Sequence, residues 1–334
     1  MVKDNPKVSV IVPIYNVEGF IGRCVVSLME QTLDDVEYVF VDDASPDGSV
    51  KILHEVIARY PNRAQNIKII THSENKGLPA ARNTGLAEVT GEYVFHCDSD
   101  DSVELEMLET LYAKAKSEDA DIVWCDFYMD YGNRLDYCRM FKPDNIDEIQ
   151  RLKSYLSYGW NVLWNMIVKK DIYKDNKIRG YEGFSFTEDF GVTARLLFYA
   201  KKVVYVPQAL YFYNRTNQSS IVYQELSSKK RAQMINDEIT ICSNIISFYK
   251  QKGVYDFIKQ EMLWRILKAK RGWLYDSKKW IEYNNLYPES NSYIKNNPFC
   301  SKKDMLCQFL IINKYLRPLL YIIKLIDKIY RKLR

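Results

Sequence analysis

Asp98-Ser99-Asp100-Asp101 packs three carboxylates into four residues. Like charges so crowded repel one another, and the arrangement is costly unless a cation offsets it. A small number of hard oxygen ligands suits Mg²⁺ or Mn²⁺ that is also held by substrate phosphates. A diphosphate is the natural complement. The competing reading is a solvated acidic turn that caps a helix over 104–111. Asp42-Asp43-Ala44-Ser45-Pro46-Asp47-Gly48 forms a second acidic group. A carboxylate there could accept from a base N–H or a ribose hydroxyl, although Ser-Pro-Asp-Gly is also ordinary turn chemistry. Asn75-Lys76-Gly77, followed by Arg82-Asn83, offers a glycine turn and then a cation on a short helix. The spacings G-x-G-x-x-G and G-x-x-x-x-G-K-S/T do not occur there, so neither a dinucleotide site nor a P-loop is supported.

These clusters need elements to carry them, and the hydrophobic pattern supplies a repeating set. Val8–Tyr15 is a β-branched apolar run, and Phe20–Met29 then carries apolar residues at helical spacing. Glu37–Asp42 reads as a second buried strand and 50–57 as a second helix. A third strand follows at 67–71, a short helix at 79–87, and a fourth strand at 92–97 that runs into Asp98. Another strand is expected at 122–127. Such alternation implies an α/β fold with a doubly wound, mostly parallel sheet. In open sheets of this kind ligands sit beyond the carboxyl ends of the strands. Tyr15-Asn16, Asp42-Asp43 and Asp98–Asp101 all follow strand ends and should converge on one crevice. The segment 130–220 is irregular and aromatic and reads as part of the same domain, and helical spacing dominates from about 225 onward.

Composition sets outer limits. The chain has 334 residues, 47% apolar and 27% charged, which excludes collagen, low-complexity disorder and a small disulfide scaffold. Its longest uncharged stretch, Ser154–Val168, carries Ser, Asn and Gly and falls short of the ~18–20 apolar residues of a spanning helix. Asp4 and Pro6 precede the first apolar run without a small-residue cleavage site after it, so a secretory signal is not expected and the chain should be cytoplasmic. Seven cysteines without a C-x-x-C read as reduced core thiols, and three scattered histidines argue against a His-based zinc site.

Charge divides the chain. Residues 1–220 hold 25 basic and 33 acidic side chains, whereas 221–334 hold 22 and 10. The acidic part fits cation chemistry and the basic part an anionic partner. After Pro318, a good first helical residue, apolar positions 319, 322, 323, 326, 329, 330 and 333 alternate with Lys324, Lys328, Arg331 and Lys332. A basic amphipathic helix of this type lies in the headgroup plane of an anionic membrane. Alternatively its stripe packs against 235–270 or a second subunit. No aromatic-basic module indicates nucleic acid.

Taken in order, VSVIVPIYN (8–16), SLMEQT (27–32), VDDASPDGS (41–49), NKGLPAARNTGL (75–86) and GEYVFHCDSDD (91–101) resemble the N-terminal half of family 2 glycosyltransferases. Similarity continues more loosely through WNVLWNMIV (160–168), FTEDF (186–190) and YFYNRTNQSS (211–220). The resemblance implies a GT-A fold over residues 1–220, a helical region over 221–334, and inverting transfer of a sugar from a nucleoside diphosphate donor, commonly a uridine one. It places Pro13, Tyr15 and Asp43 at the nucleobase, Arg82 on the donor side, Asp98 near the ribose, and Asp100 or Asp101 on Mn²⁺ or Mg²⁺. It matches the family's Glu-Asp pair to Glu188-Asp189, with Asp189 as general base. The competing reading of that pair is an acidic cap on a helix over 190–198. Trp160, Trp164 and Asn165 could line an acceptor groove or serve as core, and Met166 stands where members commonly carry Lys. Arg215 and Ser219-Ser220 could bind phosphate or simply close the domain. The implied acceptor is a glycan or lipid-linked hydroxyl in surface polysaccharide synthesis, worked on at the inner face of the plasma membrane. A catalytically silent sugar-nucleotide-binding or scaffold protein is the rival reading.

Overall fold

The computed structural model describes residues 6–143, 147–158, 160–184, 186–218, 228–274 and 276–322. The chain divides into two compact units, one of residues 1–148 and 160–225, the other of 149–159 and 226–334. In chain order the elements are β1 (Val8–Ile14), α1 (Ile21–Met29), β2 (Val36–Asp42), α2 (Ser49–Ile57), β3 (Ile67–Thr71), α3 (Leu78–Glu88), β4 (Tyr93–His96), β5 (Ser102–Val103) and α4 (Met107–Glu118). There follow β6 (Ile122–Asp130), β7 (Leu135–Cys138), α5 (Glu148–Tyr158), β8 (Met166–Lys169), α6 (Lys170–Asp175), α7 (Glu188–Tyr199) and β9 (Val203–Asn214). Helices α8 (Ser228–Gln251), α9 (Lys259–Lys270), α10 (Trp280–Asn285) and α11 (Lys302–Ile312) complete the described chain.

In the first unit every residue of β1 and β2 is buried, as in a parallel strand covered on both faces, and all but Ser9, Glu37 and Asp42 are apolar. The sheet order is β3-β2-β1-β4-β8-β6-β9-β5, with β7 paired to β6. The expected parallel core is present: β1 pairs in parallel with both β2 and β4, and β2 with β3. In register Ile14 lies opposite Asp42, and Ile11 opposite His96. The carboxyl ends of β1, β2 and β4 therefore share one edge, which is where the polar clusters follow. Beyond β4 the sheet becomes mixed, since β8 runs antiparallel to both β4 and β6 while β9 runs parallel to β6. Helix α3 lies close on the sheet: a Cβ built on Gly85 would stand 2.5 Å from Ile11 Cγ2.

The second unit is helical. Its core gathers Leu267, Trp273, Leu274, Trp280, Tyr283, Cys307, Leu310, Ile311 and Leu320. Residues 149–158, within a stretch that the pattern assigned to the sheet domain, belong to this unit. The reason is visible at Arg265, buried on α9, whose guanidinium donates to the carbonyls of Leu156 (2.9 Å) and Tyr155 (3.3 Å) on α5. Lys270 is also buried, donating to Leu286 O and Ser290 Oγ, and burial pulls its pKa down to about 7. Helical backbone resumes at Pro318 and continues through 322. Here Leu320 faces the core while Leu319, Tyr321 and Ile322 are exposed. The rest of the expected amphipathic helix, 323–334, lies outside the described residues. Among the described residues no helix is long and apolar enough to cross a membrane.

Candidate active site

The strand ends of the first unit enclose a cavity of about 600 Å³. Pro13, Tyr15, Asp43, Arg82, Asp98, Asp100 and Asp189 all line it, with Glu188, Trp160 and Trp164. Tyr15, 47% exposed, stands at its rim. The loops after β1 and β2 are laced together: Asn16 N–H donates to Ser45 Oγ (2.8 Å), Val17 N–H to Ser49 Oγ (3.0 Å) and Glu18 N–H to Asp47 Oδ2 (2.9 Å). Asn16 (φ 55°) and Ala44 (φ 56°) both sit in the left-handed region. Conformations costly for residues with a Cβ persist where the surroundings over-determine them, often at functional sites.

Asp43 does more than face the cavity. Its Oδ1 accepts from Lys76 N–H (2.9 Å) and lies 2.7 Å from His72 Nδ1, while Oδ2 accepts from Gly77 N–H (2.8 Å). Gly77, at φ 88°, supplies the backbone conformation that turns both amides inward ahead of α3. His72 in turn lies 2.9 Å from Thr84 Oγ1 on that helix. The carboxylate thus clamps the 75–77 turn against the end of β2. Three of its roughly four lone-pair positions are committed.

Arg82 is the electrostatic hub. Its Nη2 donates to Asp98 Oδ1 (2.7 Å), and its Nη1 contacts Glu188 Oε1 (3.4 Å) and Asp189 Oδ1. Burial works against the guanidinium charge, but Asp189, Asp98 and Glu188 outweigh it and raise the arginine's pKa further. Three acids share one base, so the carboxylates are not fully compensated. Burial pushes Asp189 up to about 7; Arg82 opposes the rise, and the charges of Glu188 and Asp98 add to it. Glu188 is raised for the same leading reason. The pair opens α7 directly after Thr187, which is itself left-handed (φ 64°). Helix cap and cavity wall are therefore the same residues. Asn83, next to Arg82, holds the approach to α7: its amide donates to Gly180 O (3.0 Å) and Glu182 Oε1 (2.9 Å), and its Oδ1 accepts from Gly180 N–H (2.7 Å).

Of the three clustered aspartates, Asp98 and Asp100 reach the cavity and Asp101 does not. Asp101 is fully buried; Oδ2 accepts from Tyr211 O–H (2.6 Å) and Oδ1 from Asn214 N–H (2.7 Å), tying the loop to the end of β9. Asp100 accepts from the Asn217 amide (2.8 Å), and burial followed by the charge of Asp98 raises its pKa. An acid so placed beside another gains from a nearby cation, which would restore its ionised form. Among the described residues no three His, Cys, Asp or Glu side chains form a metal-holding group. That donor set fits an ion which takes its remaining ligands from substrate phosphate and water, as Mg²⁺ and Mn²⁺ do, and does not fit a metal caged by protein alone.

Residues 160–165 divide between wall and core. Trp160 and Trp164 line the cavity, and Trp164 stacks on Tyr211 (4.4 Å) and Tyr213 (5.4 Å). Asn165 is buried and donates to Cys125 O (2.8 Å), a structural tie between strands. Met166 lies buried in β8. Arg215 places its guanidinium 5.3 Å from the Tyr213 ring and is absent from the cavity wall, and Ser219 and Ser220 fall outside the described residues. Sequence reasoning passed over Asn217, Tyr213 and His72. The first two sit in the YFYNRTNQSS segment, but nothing in the spacing of His72 marks it as the partner of Asp43.

A parallel core extended by the antiparallel β8, with acids at the strand ends around one cavity, is the arrangement of a GT-A fold. The family model described as Glycosyl transferase family 2 matches residues 9–176, and the chain belongs to that family. It is 29% identical over 267 residues to the uncharacterized glycosyltransferase EpsJ of Bacillus subtilis (strain 168), covering 77% of this chain and 74% of that one. It is 31% identical over 265 residues to a cholesterol galactosyltransferase of Borreliella burgdorferi, covering 75% and 69%. Among solved structures it resembles S. aureus TarS 1–349 in complex with UDP-GlcNAc, with a TM-score of 0.64 at 19% identity over 93% of this chain and 92% of that one.

Proposed function

We propose that this glycosyltransferase moves a hexosyl or N-acetylhexosaminyl group from a nucleoside diphosphate sugar, most simply a UDP-sugar, to an acceptor hydroxyl with inversion. The observation that carries the reading is the convergence of Asp98, Asp100, Arg82 and Asp189 on one cavity. The loop clamped by Asp43, with Pro13 and Tyr15, receives the nucleobase, and Asp98 the ribose. Bound at Asp100 together with the substrate's phosphates, Mn²⁺ or Mg²⁺ supplies counter-charge for the departing diphosphate. Asp189 takes the proton of the acceptor hydroxyl as its oxygen bonds to the anomeric carbon and the diphosphate leaves with the electron pair of the broken bond. A base is most useful when its pKa lies near the working pH, and burial has brought Asp189 there. Trp160 and Trp164 offer aromatic faces to the acceptor sugar. The UDP-GlcNAc bound by TarS supports a uridine donor.

A screen of UDP-, GDP- and dTDP-sugars that reads freed nucleotide tests this. Release should require a divalent cation and fall by two orders of magnitude or more in Asp100→Ala, in line with the loss of a preorganised charge partner. Asp189→Asn should bind donor normally and fail to transfer. No release from any donor, with intact folding, would favour the catalytically silent reading.

The acceptor side of the proposal is a glycan or lipid-linked hydroxyl of a surface polysaccharide, met by a protein held at the inner face of an anionic membrane through its second unit. Among the described residues, eight of the thirteen large apolar side chains that remain exposed lie between 257 and 322. Phe309 (56% exposed) and Leu306 share one face of α11, and Tyr315 (81%) follows it. Lys302 and Lys314 are exposed on the same short stretch. Apolar side chains interleaved with cations are the composition of a lipid-surface contact. The similarity to a cholesterol galactosyltransferase supports the same direction.

A further inference from the structure

Behind the contact between Arg82 and Asp189 lies a second, smaller space of about 20 Å³, whose wall includes Arg82, His96, Tyr173, Arg179, Glu188 and Asp189. Two buried polar atoms of that wall, Arg82 Nε and His96 Nδ1, have no hydrogen-bond partner among the described residues. Both terminal nitrogens of Arg82 have acid partners, and Nε is the guanidinium nitrogen left without one. His96 has its other ring nitrogen 3.3 Å from Tyr173 O–H. Burial, and then the charge of Arg82, depress its pKa to about 3, so the ring is neutral with one donor and one acceptor nitrogen. An unpaired donor and an unpaired ring nitrogen thus belong to two residues that wall one pocket, and its volume exceeds the ~10–15 Å³ a water occupies.

We propose that one buried water accepts from Arg82 Nε–H and donates to His96 Nδ1, and that His96 is thereby a positioning residue for the guanidinium that controls the proton affinity of Asp189. The inference rests on the reading of Asp189 as base. The charged and titratable groups around that carboxyl are Arg82 from α3, Asp98 and His96 from β4 and its loop, Tyr173 from α6, Arg179 from the loop after α6, and Glu188 beside it. Of these, Arg82 offsets its charge directly. With the water bridge in place, the guanidinium is fixed from behind against Asp189. Without it, the side chain gains freedom and its Nε–H is left unpaired, so its hold on Asp189 weakens and the protonated acid is favoured.

His96→Leu should therefore move the acid limb of kcat/KM upward by about one pH unit, roughly a tenfold loss well below the limb, with much less loss above pH 8 and little change in donor KM. His96→Asn, which keeps an acceptor, should recover most of the shift. In the unsubstituted protein, ¹⁵N shifts of the His96 imidazole should report a neutral ring protonated at Nε2, and a high-resolution crystal structure should place a water between the two atoms. An unmoved limb in a His96→Leu enzyme that folds normally overturns the proposal, as does the absence of that water or a charged imidazole at neutral pH. If His96→Leu fails to fold, the Asn variant, the tautomer and the water still decide. Should Asp189→Asn transfer sugar at the normal rate, the base assignment fails while the water and the tautomer remain to be judged by themselves.

Discussion

At the scale of single residues the Arg82 cluster sets two opposed pH dependences. The carboxyl of Asp189 is raised from its ordinary value to about 7, so the folded state binds a proton that the unfolded chain has already released. Stability tied to this group is therefore complete below the unfolded pKa near 4 and is lost as pH rises towards 7. Activity that needs the ionised base runs the other way. Asp189→Asn should then be stabilised relative to the parent protein at pH 8 more than at pH 5, by urea midpoints, while transfer is abolished at both. Arg82→Ala leaves the half-buried Asp98, Glu188 and Asp189 without their partner, which costs at most about 3–5 kcal/mol. Because the orphaned acids can take up protons, the loss should be smaller at pH 5 than at pH 8. Equal destabilisation at both would mean that Arg82 acts through packing alone. Much of this cluster was legible: Arg82, Asp98 and the Glu188-Asp189 pair stand in recognisable segments. Asp101 shows the limit, because spacing equates it with Asp100 and only the third dimension reveals Tyr211 and Asn214 occupying its oxygens.

At the scale of elements, helix α3 links the donor loop to the sheet, and glycine fixes how near it can come. Gly85→Ala would put a methyl group 2.5 Å from Ile11 Cγ2, an overpacking that costs about 1–3 kcal/mol and should appear as a lower melting temperature. Gly77→Ala tests a different link. With no atom near the added methyl group but φ 88° and ψ 161°, a region that residues with a Cβ scarcely enter, its cost is conformational, about 1–3 kcal/mol, and it should loosen the Asp43 clamp and raise donor KM more than it lowers kcat. The strands and helices around α3 were readable because two-sided burial and helical periodicity leave strong patterns. The later strands were not. β8 has four residues, too few for a period. β9 carries Pro207, and its register against β6 shifts around Cys125 and Asp126, with Pro207 and Gln208 exposed. A bulge lets a strand keep a proline there, but in sequence the same residue reads as a break.

At the scale of the whole molecule, the division of charge is the feature that local structure does not require. Apart from the buried Arg265 and Lys270, the 22 basic side chains against 10 acidic ones from 221 onward give the core of the helical unit little, whereas an anionic surface would repay the surplus. The sequence pattern placed the lipid-facing stripe after Pro318. Within the described part of that segment the stripe positions Leu319 and Ile322 are exposed while Leu320, outside the stripe, turns to the core, and α11 adds exposed apolar side chains of its own. Removal of 323–334 is thus a cleaner truncation than removal from 319, since it spares Leu320. Lys302→Glu with Lys314→Glu should weaken binding to vesicles rich in anionic lipid by on the order of 30-fold or more, given ~1 kcal/mol for each cation near the surface, and added salt should shrink the difference. Leu306→Asp with Phe309→Asp should weaken binding at any ionic strength, because their contribution is apolar burial. Vesicle sedimentation read beside solution mass separates the alternatives. If the Leu306 and Phe309 changes dissolve a dimer and leave vesicle binding intact, that face of α11 meets a second copy of the chain and not a membrane.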